Sequence, residues 1–222
     1  MVGSNVNPGK NLSKYKFKRI AVESLKNCLR LHVDSILLFK HGSFASAYHL
    51  SVLALEEFAK AEWVHHYYYA SISNQGFPDS EFEQKWLNLL YLHPKKQFAF
   101  IGRELFDYSP RFVKLIKSGN LEVKKQRSIY VGLERQKGKV DISSRISVPT
   151  RVKEKDPKQL ISLVNSRLID IHEAVSKRGG FYEIPELDNV ISLTQHSAIF
   201  NWPYKSRLKS SKWPKSHSAY YS

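Results

Sequence analysis

The sequence contains little cysteine, few acidic residues and no long apolar run. Its single cysteine, Cys28, has no partner for an intramolecular disulfide, which excludes a disulfide-stapled fold and is typical of a reducing compartment. No run of about 18 apolar residues occurs, so no transmembrane helix is expected. The first residues are polar and basic, unlike a secretory signal. We therefore expect a cytoplasmic protein without membrane contact, with Cys28 as an ordinary core residue.

The shortage of acidic residues leaves a strong positive charge. Lysine and arginine total 35 against 20 acidic residues, which gives a net charge of +15. Such a charge favours a polyanionic partner, either nucleic acid or an acidic protein. Basic charge can also serve solubility alone, and composition leaves both interpretations open.

Apolar residues recur at helical spacing through most of the chain, which predicts a predominantly α-helical bundle. Gly42 is expected to end a helix, Asp79 or Ser80 to cap the third helix, and Pro94 to break or kink a helix. The predicted helices run from Tyr15 to Lys40, from Ser43 or Ser46 to about Ser73, onward from about Glu81, over 95–106, over 112–117 and from Asp156 to about Lys177.

Residues 128–149 differ from this helical pattern. Alternating residues at 129–133 and 140–148, separated by Lys137-Gly138, predict a small β-hairpin or an irregular flap before the last long helix. The expected organisation is a flexible N-terminus at 1–14, a helical domain at 15–200 and a basic, aromatic C-terminal tail at 201–222. For that tail, docking on the body, contact with nucleic acid and disorder all stay open.

The apolar second helix carries three charged residues, Glu56, Glu57 and Lys60. A buried carboxylate costs several kcal/mol unless it is paired. At about 100° per residue, His49, Glu56 and Lys60 share one face, and Glu56 with Lys60 has the favoured (i, i+4) ion-pair spacing. Glu57 points about 100° away, towards another helix. These charges either lock the bundle or form part of a site.

A second candidate is the pair His93 and Lys96. His93 directly precedes Pro94, so its ring can be presented at a helix break instead of being packed. A histidine and a lysine together suit proton transfer and stabilisation of the charge that develops on a phosphate. The alternative is a loop histidine beside solvated lysines.

A third candidate is the pair Arg167 and His172 in the last long helix. Five residues in a continuous helix correspond to a rotation of about 140°, so the two side chains would not share a face. They would converge only in a frayed helix or in a dimer. The alternative is an (i, i+3) ion pair between Arg167 and Asp170, with His172 incidental.

A metal site is not expected. Glu62 and His65 have the Glu-x-x-His spacing of di-iron bundles, but that site needs a second copy, which the sequence lacks. We therefore predict no metal and no cofactor. The run from His65 to Tyr69 is interpreted as a helix end with amphipathic rings at a surface or interface.

The segment Ala54–Ala61, ALEEFAKA, resembles the core of the AbiV family of bacterial abortive-infection proteins. Two further landmarks follow in the right order: His93-x-x-Lys96, and the basic segment 124–127 running into Tyr130-Val131. AbiV proteins look like a branch of the HEPN superfamily, whose helical bundles are often dimeric and include many metal-independent RNases. The usual HEPN signature, Arg-x(4–6)-His, is matched by Arg167 and His172.

The resemblance implies a HEPN-type toxin that shuts down translation after phage infection, through metal-independent RNA cleavage. It implies a homodimer that acts on RNA or the ribosome and is released by a phage-encoded activator. An alternative is a non-catalytic HEPN protein that blocks translation by binding the ribosome, RNA or a phage protein. A ferritin-like metal protein is a third option, and it would carry iron. The candidate site residues are Glu56, Glu57, Lys60, His93, Lys96, Arg167 and His172.

Overall fold

The computed structural model describes residues 11–73, 76–102, 105–136, 139–178, 190 and 193–210. It is predominantly helical, which confirms the predicted fold class. In chain order the elements are α1 (Lys14–Lys40), α2 (Phe44–Ser73), α3 (Ser80–Leu89), α4 (His93–Gly102), α5 (Pro110–Lys117), α6 (Asn120–Arg127), β1 (Glu134–Gln136), β2 (Lys139–Asp141), α7 (Lys155–Arg178) and α8 (Leu193–Phe200).

Helix α2 forms the centre of the bundle. It contacts α1, α4, α6 and α7, as expected for a helix that is apolar almost all round. Leu55, Phe58 and Val64 on this helix are fully buried. Gly42 turns the chain from α1 into α2 with a positive φ of 75°, a conformation that favours glycine. This central helix carries the acidic pair of the candidate site.

Several predicted boundaries are confirmed and others are wrong. Ser13 and Asp79 accept backbone hydrogen bonds that start α1 and α3. Pro94 lies in the first turn of α4, where its missing N–H costs nothing, so the break precedes it at residues 90–92. Helix α4 ends at Gly102 instead of near residue 106. Helix α8 was not predicted at all.

The hairpin is shorter than predicted and begins later. Strands β1 and β2 pair antiparallel, with Arg135 opposite Val140. Of the strand predicted over 129–133, only Gly132 pairs, through an isolated antiparallel bridge to Ser147. The backbone N–H groups of Ile129 and Tyr130 both donate to Gln126 O, which continues the turn at the end of α6. The predicted turn at 137–138 lies outside the described residues.

A buried polar chain ties α1, α7 and α8 together. His32 is fully buried, and its Nε2 lies 2.9 Å from Asn165 Oδ1. The Asn165 amide donates to Ile199 O at 2.9 Å, which leaves its oxygen as the acceptor and gives His32 an Nε2–H. Burial lowers the pKa of His32 to about 4, against its hydrogen bond to Asn165. His32 is therefore neutral in the folded protein.

The first ten residues of the C-terminal tail dock on the body. Trp202 is 8% exposed and donates from Nε1 to Ser162 Oγ at 2.8 Å. Backbone bonds from Ser109 N to Leu208 O and from Ser210 N to Asp107 O continue the contact. Residues 211–222 lie outside the described residues, as do residues 1–10 of the predicted flexible N-terminus. No described helix is long and apolar enough to cross a membrane.

Candidate functional site

Glu56 is the centre of a buried polar cluster. It is 0% exposed. Its Oε2 accepts a hydrogen bond from His93 Nδ1 at 2.6 Å. Its Oε1 accepts from Gln97 Nε2 at 2.7 Å and from Lys125 Nζ at 2.9 Å. These three donors offset the several kcal/mol that desolvation of a carboxylate costs.

Helix α6 supplies a second carboxylate that shares two of these donors. Glu122 Oε2 accepts from Lys125 Nζ at 2.7 Å and from Gln97 Nε2 at 2.8 Å. Although partial burial opposes it, hydrogen bonds from Lys125 and Gln126 lower the pKa of Glu122 below its usual range. The ammonium of Lys125, on a residue only 2% exposed, bridges the carboxylates of Glu56 and Glu122.

Glu57 and Lys96 extend the cluster along α2. Glu57 Oε1 lies 3.3 Å from Lys96 Nζ, and its Oε2 accepts from Asn27 on α1 at 3.3 Å. Lys96 Nζ also lies 4.0 Å from Glu56 Oε2, and the lysine side chain is only 8% exposed. We call this set the Glu56 cluster: Glu56, Glu57, His93, Lys96, Gln97, Glu122 and Lys125.

His93 is the part of the cluster with substantial access to solvent. Its side chain is 48% exposed, whereas that of Glu56 is not exposed. An ionised carboxylate only accepts hydrogen bonds, so Nδ1 of His93 carries the hydrogen and a neutral ring has its lone pair on Nε2. This arrangement can take up a proton at Nε2 while Glu56 stabilises the resulting imidazolium.

The cluster also offers ligand atoms for a metal ion. One atom each of Glu56, His93 and Glu122 lies within 4.8 Å of the others. The ammonium of Lys125 already contacts both carboxylates, at 2.9 and 2.7 Å. A cation would have to displace this lysine, so the donor set suits an internal ion pair better than a divalent metal.

The predicted ion pair between Glu56 and Lys60 is wrong. Within the described part of the chain, Glu56 pairs with cations of α4 and α6, and Lys60 is not among them. The ammonium of Lys60 instead lies 5.4 Å from the ring centroid of Tyr91. Lys60 therefore makes a cation–π contact instead of the (i, i+4) ion pair. The carboxylate of Glu56 already accepts hydrogen bonds from Lys125 and His93.

The contacts described for Arg167 and His172 lie outside the Glu56 cluster. Arg167 Nη2 lies 3.0 and 3.2 Å from the two carboxylate oxygens of Glu62, and its guanidinium stacks 5.6 Å from the Phe58 ring. The ring of His172 packs edge-on against Phe200 of α8, with centroids 5.3 Å apart. The rotation of five residues in an unbroken α7 accounts for this divergence.

The interpretation of residues 65–69 as a helix end with rings at a surface or interface is wrong for the helix end and for two of the buried rings. Helix α2 continues to Ser73, and His65 is 0% exposed while Tyr68 is 6% exposed. Tyr67 stacks on Trp86 with centroids 3.9 Å apart. Tyr68 packs in the core near Phe17 of α1, while Tyr69 is 39% exposed.

Comparison with known proteins gives one match. A family model described as AbiV, of the HEPN type, matches residues 16–170. The chain belongs to the AbiV family. Comparisons with curated proteins and with solved structures return no match. The AbiV match spans the whole Glu56 cluster and Arg167, and it ends before His172 and the docked tail.

Three residues of the Glu56 cluster in this AbiV protein were not predicted from the sequence: Gln97, Glu122 and Lys125. One signal could have found Gln97, since it follows His93 by four residues and therefore shares its helical face. Glu122 and Lys125 have an (i, i+3) spacing on a short basic helix. Lys125 lies in the basic segment 124–127 that resembles AbiV, but the spacing of the pair is also that of a solvated ion pair.

Proposed function

We propose that this AbiV protein is a HEPN-type toxin that arrests translation after phage infection by metal-independent RNA cleavage. The observation that carries the proposal is the hydrogen bond of 2.6 Å between His93 Nδ1 and the buried Glu56, with the same ring 48% exposed. A histidine oriented by a carboxylate and open to solvent is suited to general acid–base catalysis.

In the proposed reaction His93 Nε2 removes the proton of a ribose 2′-hydroxyl. The 2′-oxygen then attacks the adjacent phosphorus, and the bond to the 5′-oxygen breaks. The products are a 2′,3′-cyclic phosphate and a 5′-hydroxyl end, with the leaving oxygen protonated by solvent. The net charge of +15 attracts the phosphate backbone of RNA, and Glu56 stabilises the imidazolium.

The charge balance of the cluster supports this role for His93. Three carboxylates of the cluster face two ammonium groups, so it carries one net negative charge while His93 is neutral. When His93 takes the proton of the 2′-hydroxyl, its positive charge cancels the net negative charge of the cluster. The proposal includes a cytoplasmic location, a homodimer, and RNA or the ribosome as target, with release by a phage-encoded activator.

A second candidate function is a non-catalytic HEPN protein that blocks translation by binding. The observation that favours it is the separation of the signature residues, because Arg167 is engaged by Glu62 and His172 packs against Phe200. In this case the Glu56 cluster serves stability, and the ribosome, RNA or a phage protein is bound at another surface.

The two functions are separated by a variant that keeps the hydrogen bond to Glu56. His93→Asn places an amide N–H where Nδ1–H stands and removes Nε2. The protein and its variant would be expressed in bacteria, triggered with phage, and compared by sequencing of RNA ends, with His41→Asn at an exposed histidine as the matched control. Purified protein with chelator would be tested in parallel.

The nuclease predicts discrete new RNA ends with 2′,3′-cyclic phosphates, present in wild type and His41→Asn and absent in a folded His93→Asn. Intact RNA with translation still arrested would refute cleavage and leave the binding function. Cleavage that requires an added divalent metal would refute the metal-independent mechanism.

A further inference from the structure

Next to His93 the chain exposes an aromatic ring. Tyr91 is 70% exposed in the connection between α3 and α4. It begins a run of five consecutive exposed residues that ends at Lys95 and includes His93. An exposed tyrosine contributes nothing to the core, and its amphipathic ring is suited to contact with a ligand.

Lys60 fixes this ring over α2. Its ammonium lies 5.4 Å from the centroid of Tyr91, and within the described residues it makes no ion pair. Lys60 therefore covers one face of the ring with a positive charge. Tyr91 is nevertheless 70% exposed, so most of the residue is accessible to a ligand.

Helix α2 places the tyrosine beside the histidine. Glu56 holds His93, and Lys60, one helical turn later, contacts Tyr91. Positions four apart in a helix lie on one face and about 6 Å apart along the axis. Tyr91 in the connection and His93 at the start of α4 are thus contacted by residues on adjacent turns of one helix, α2.

We propose that Tyr91 and Lys60 form a stacking site for one unpaired nucleobase of an RNA strand, next to His93. Aromatic rings bind successive bases by stacking, and a neighbouring cation reinforces this and attracts the backbone. The free ammonium of Lys60 and the exposed Lys95 supply that charge. In a duplex the base faces are hidden, so the site selects single-stranded RNA.

The stacking site makes single-stranded RNA the substrate class of the proposed nuclease, and it rests on that proposed function. Its test measures binding separately from cleavage. The probe is a short single-stranded RNA with a central 2-aminopurine, bound to full-length His93→Asn protein so that it stays intact. Fluorescence anisotropy of labelled RNA gives the affinity, and 2-aminopurine quenching reports stacking.

Tyr91→Leu keeps an apolar side chain and removes the aromatic face. We expect it to weaken RNA binding on the order of tenfold and to abolish quenching, since stacking of one base is lost. Tyr91→Phe keeps the ring and is expected to bind as before. Tyr15→Leu is the matched control, because Tyr15 is 71% exposed on α1.

Two further tests of the stacking site use the variant Lys60→Gln and a duplex form of the RNA probe. Lys60→Gln removes the cation under the ring and is expected to weaken binding and flatten its salt dependence, whereas Lys60→Arg retains both. The duplex form of the probe is expected to bind more weakly than the single strand. Each of these results depends on stacking and charge and not on catalysis.

Unchanged affinity and quenching in Tyr91→Leu, or equal effects of Tyr15→Leu, would overturn the site. Absence of RNA binding would overturn it as well. If Tyr91→Leu lost toxicity but still bound RNA, the stacking site would be refuted, and Tyr91 would instead contact a protein partner. Base stacking without any cleavage by wild type would retain this site and reject the nuclease, so the two failures are distinguishable.

Discussion

Replacing Lys125 tests whether its buried ammonium holds the Glu56 carboxylate. Lys125→Met keeps the length of the side chain and removes a charge that lies 2.9 Å from Glu56 and 2.7 Å from Glu122. Loss of one partner from a buried ion pair costs about 3–5 kcal/mol. Because Glu56 keeps its bonds from His93 and Gln97, we expect the lower end, about 3 kcal/mol. Urea unfolding followed by circular dichroism measures it.

The neighbouring residue provides the control. The side chain of Lys124 is 41% exposed and pairs with Asp156 at 2.7 Å, so Lys124→Met is expected to cost less than about 1 kcal/mol. Adding Glu56→Gln to Lys125→Met removes the unpaired charge and is expected to recover part of the loss. A cost below about 1 kcal/mol for Lys125→Met, or strict additivity of the pair, would refute the reasoning.

Three further substitutions test other parts of the structure. Burial holds the pKa of His32 at about 4, against 6.5 ordinarily, so stability is complete above pH 6.5 and falls by about 3 kcal/mol as pH drops towards 4; thermal melts should show this loss in wild type and not in His32→Gln. Arg167→Met removes the part-buried ion pair to Glu62 and should cost about 1–3 kcal/mol in urea unfolding, between the costs of breaking an exposed pair and a buried pair. A cost of zero would show that this pair does not stabilise the fold. Trp202→Phe loses the bond to Ser162 and part of the buried indole ring, and should cost about 1–2 kcal/mol. Limited proteolysis should then release the tail sooner.

The helical fold could be predicted from the sequence because its signals are local. Apolar periodicity, Gly42 and the Asp79 cap each act within a few residues of the helix they define. The same locality explains the errors. Residues 129–133 alternate like a strand, but the backbone bonds of Ile129 and Tyr130 to Gln126 continue the end of α6. Two hydrogen bonds to an existing helix end outweigh a weak β pattern.

The site could be predicted only in part, for a related reason. An apolar helix with adjacent acidic residues pointed to Glu56 and Glu57, and the structure brings His93 and Lys96 against them. Lys125 lies 69 residues further along the chain from Glu56, so no spacing rule connects them. Sequence spacing favoured Lys60 as the partner of Glu56, whereas tertiary packing supplied α6 instead. Local rules identify which charges need partners and leave the identity of the partners to the fold.

Burial also decides which member of the cluster can act on a ligand. Glu56 and Lys125 are buried and bonded to each other, and Lys96 is 7% exposed. Moving any of them to meet a substrate would leave a buried charge without its partner, at a cost of several kcal/mol. His93 has one nitrogen fixed by Glu56 and a side chain that is 48% exposed. In the proposed mechanism, proton transfer would therefore pass through Nε2 of His93, the most exposed member of the cluster, and the buried charges would hold that ring in place.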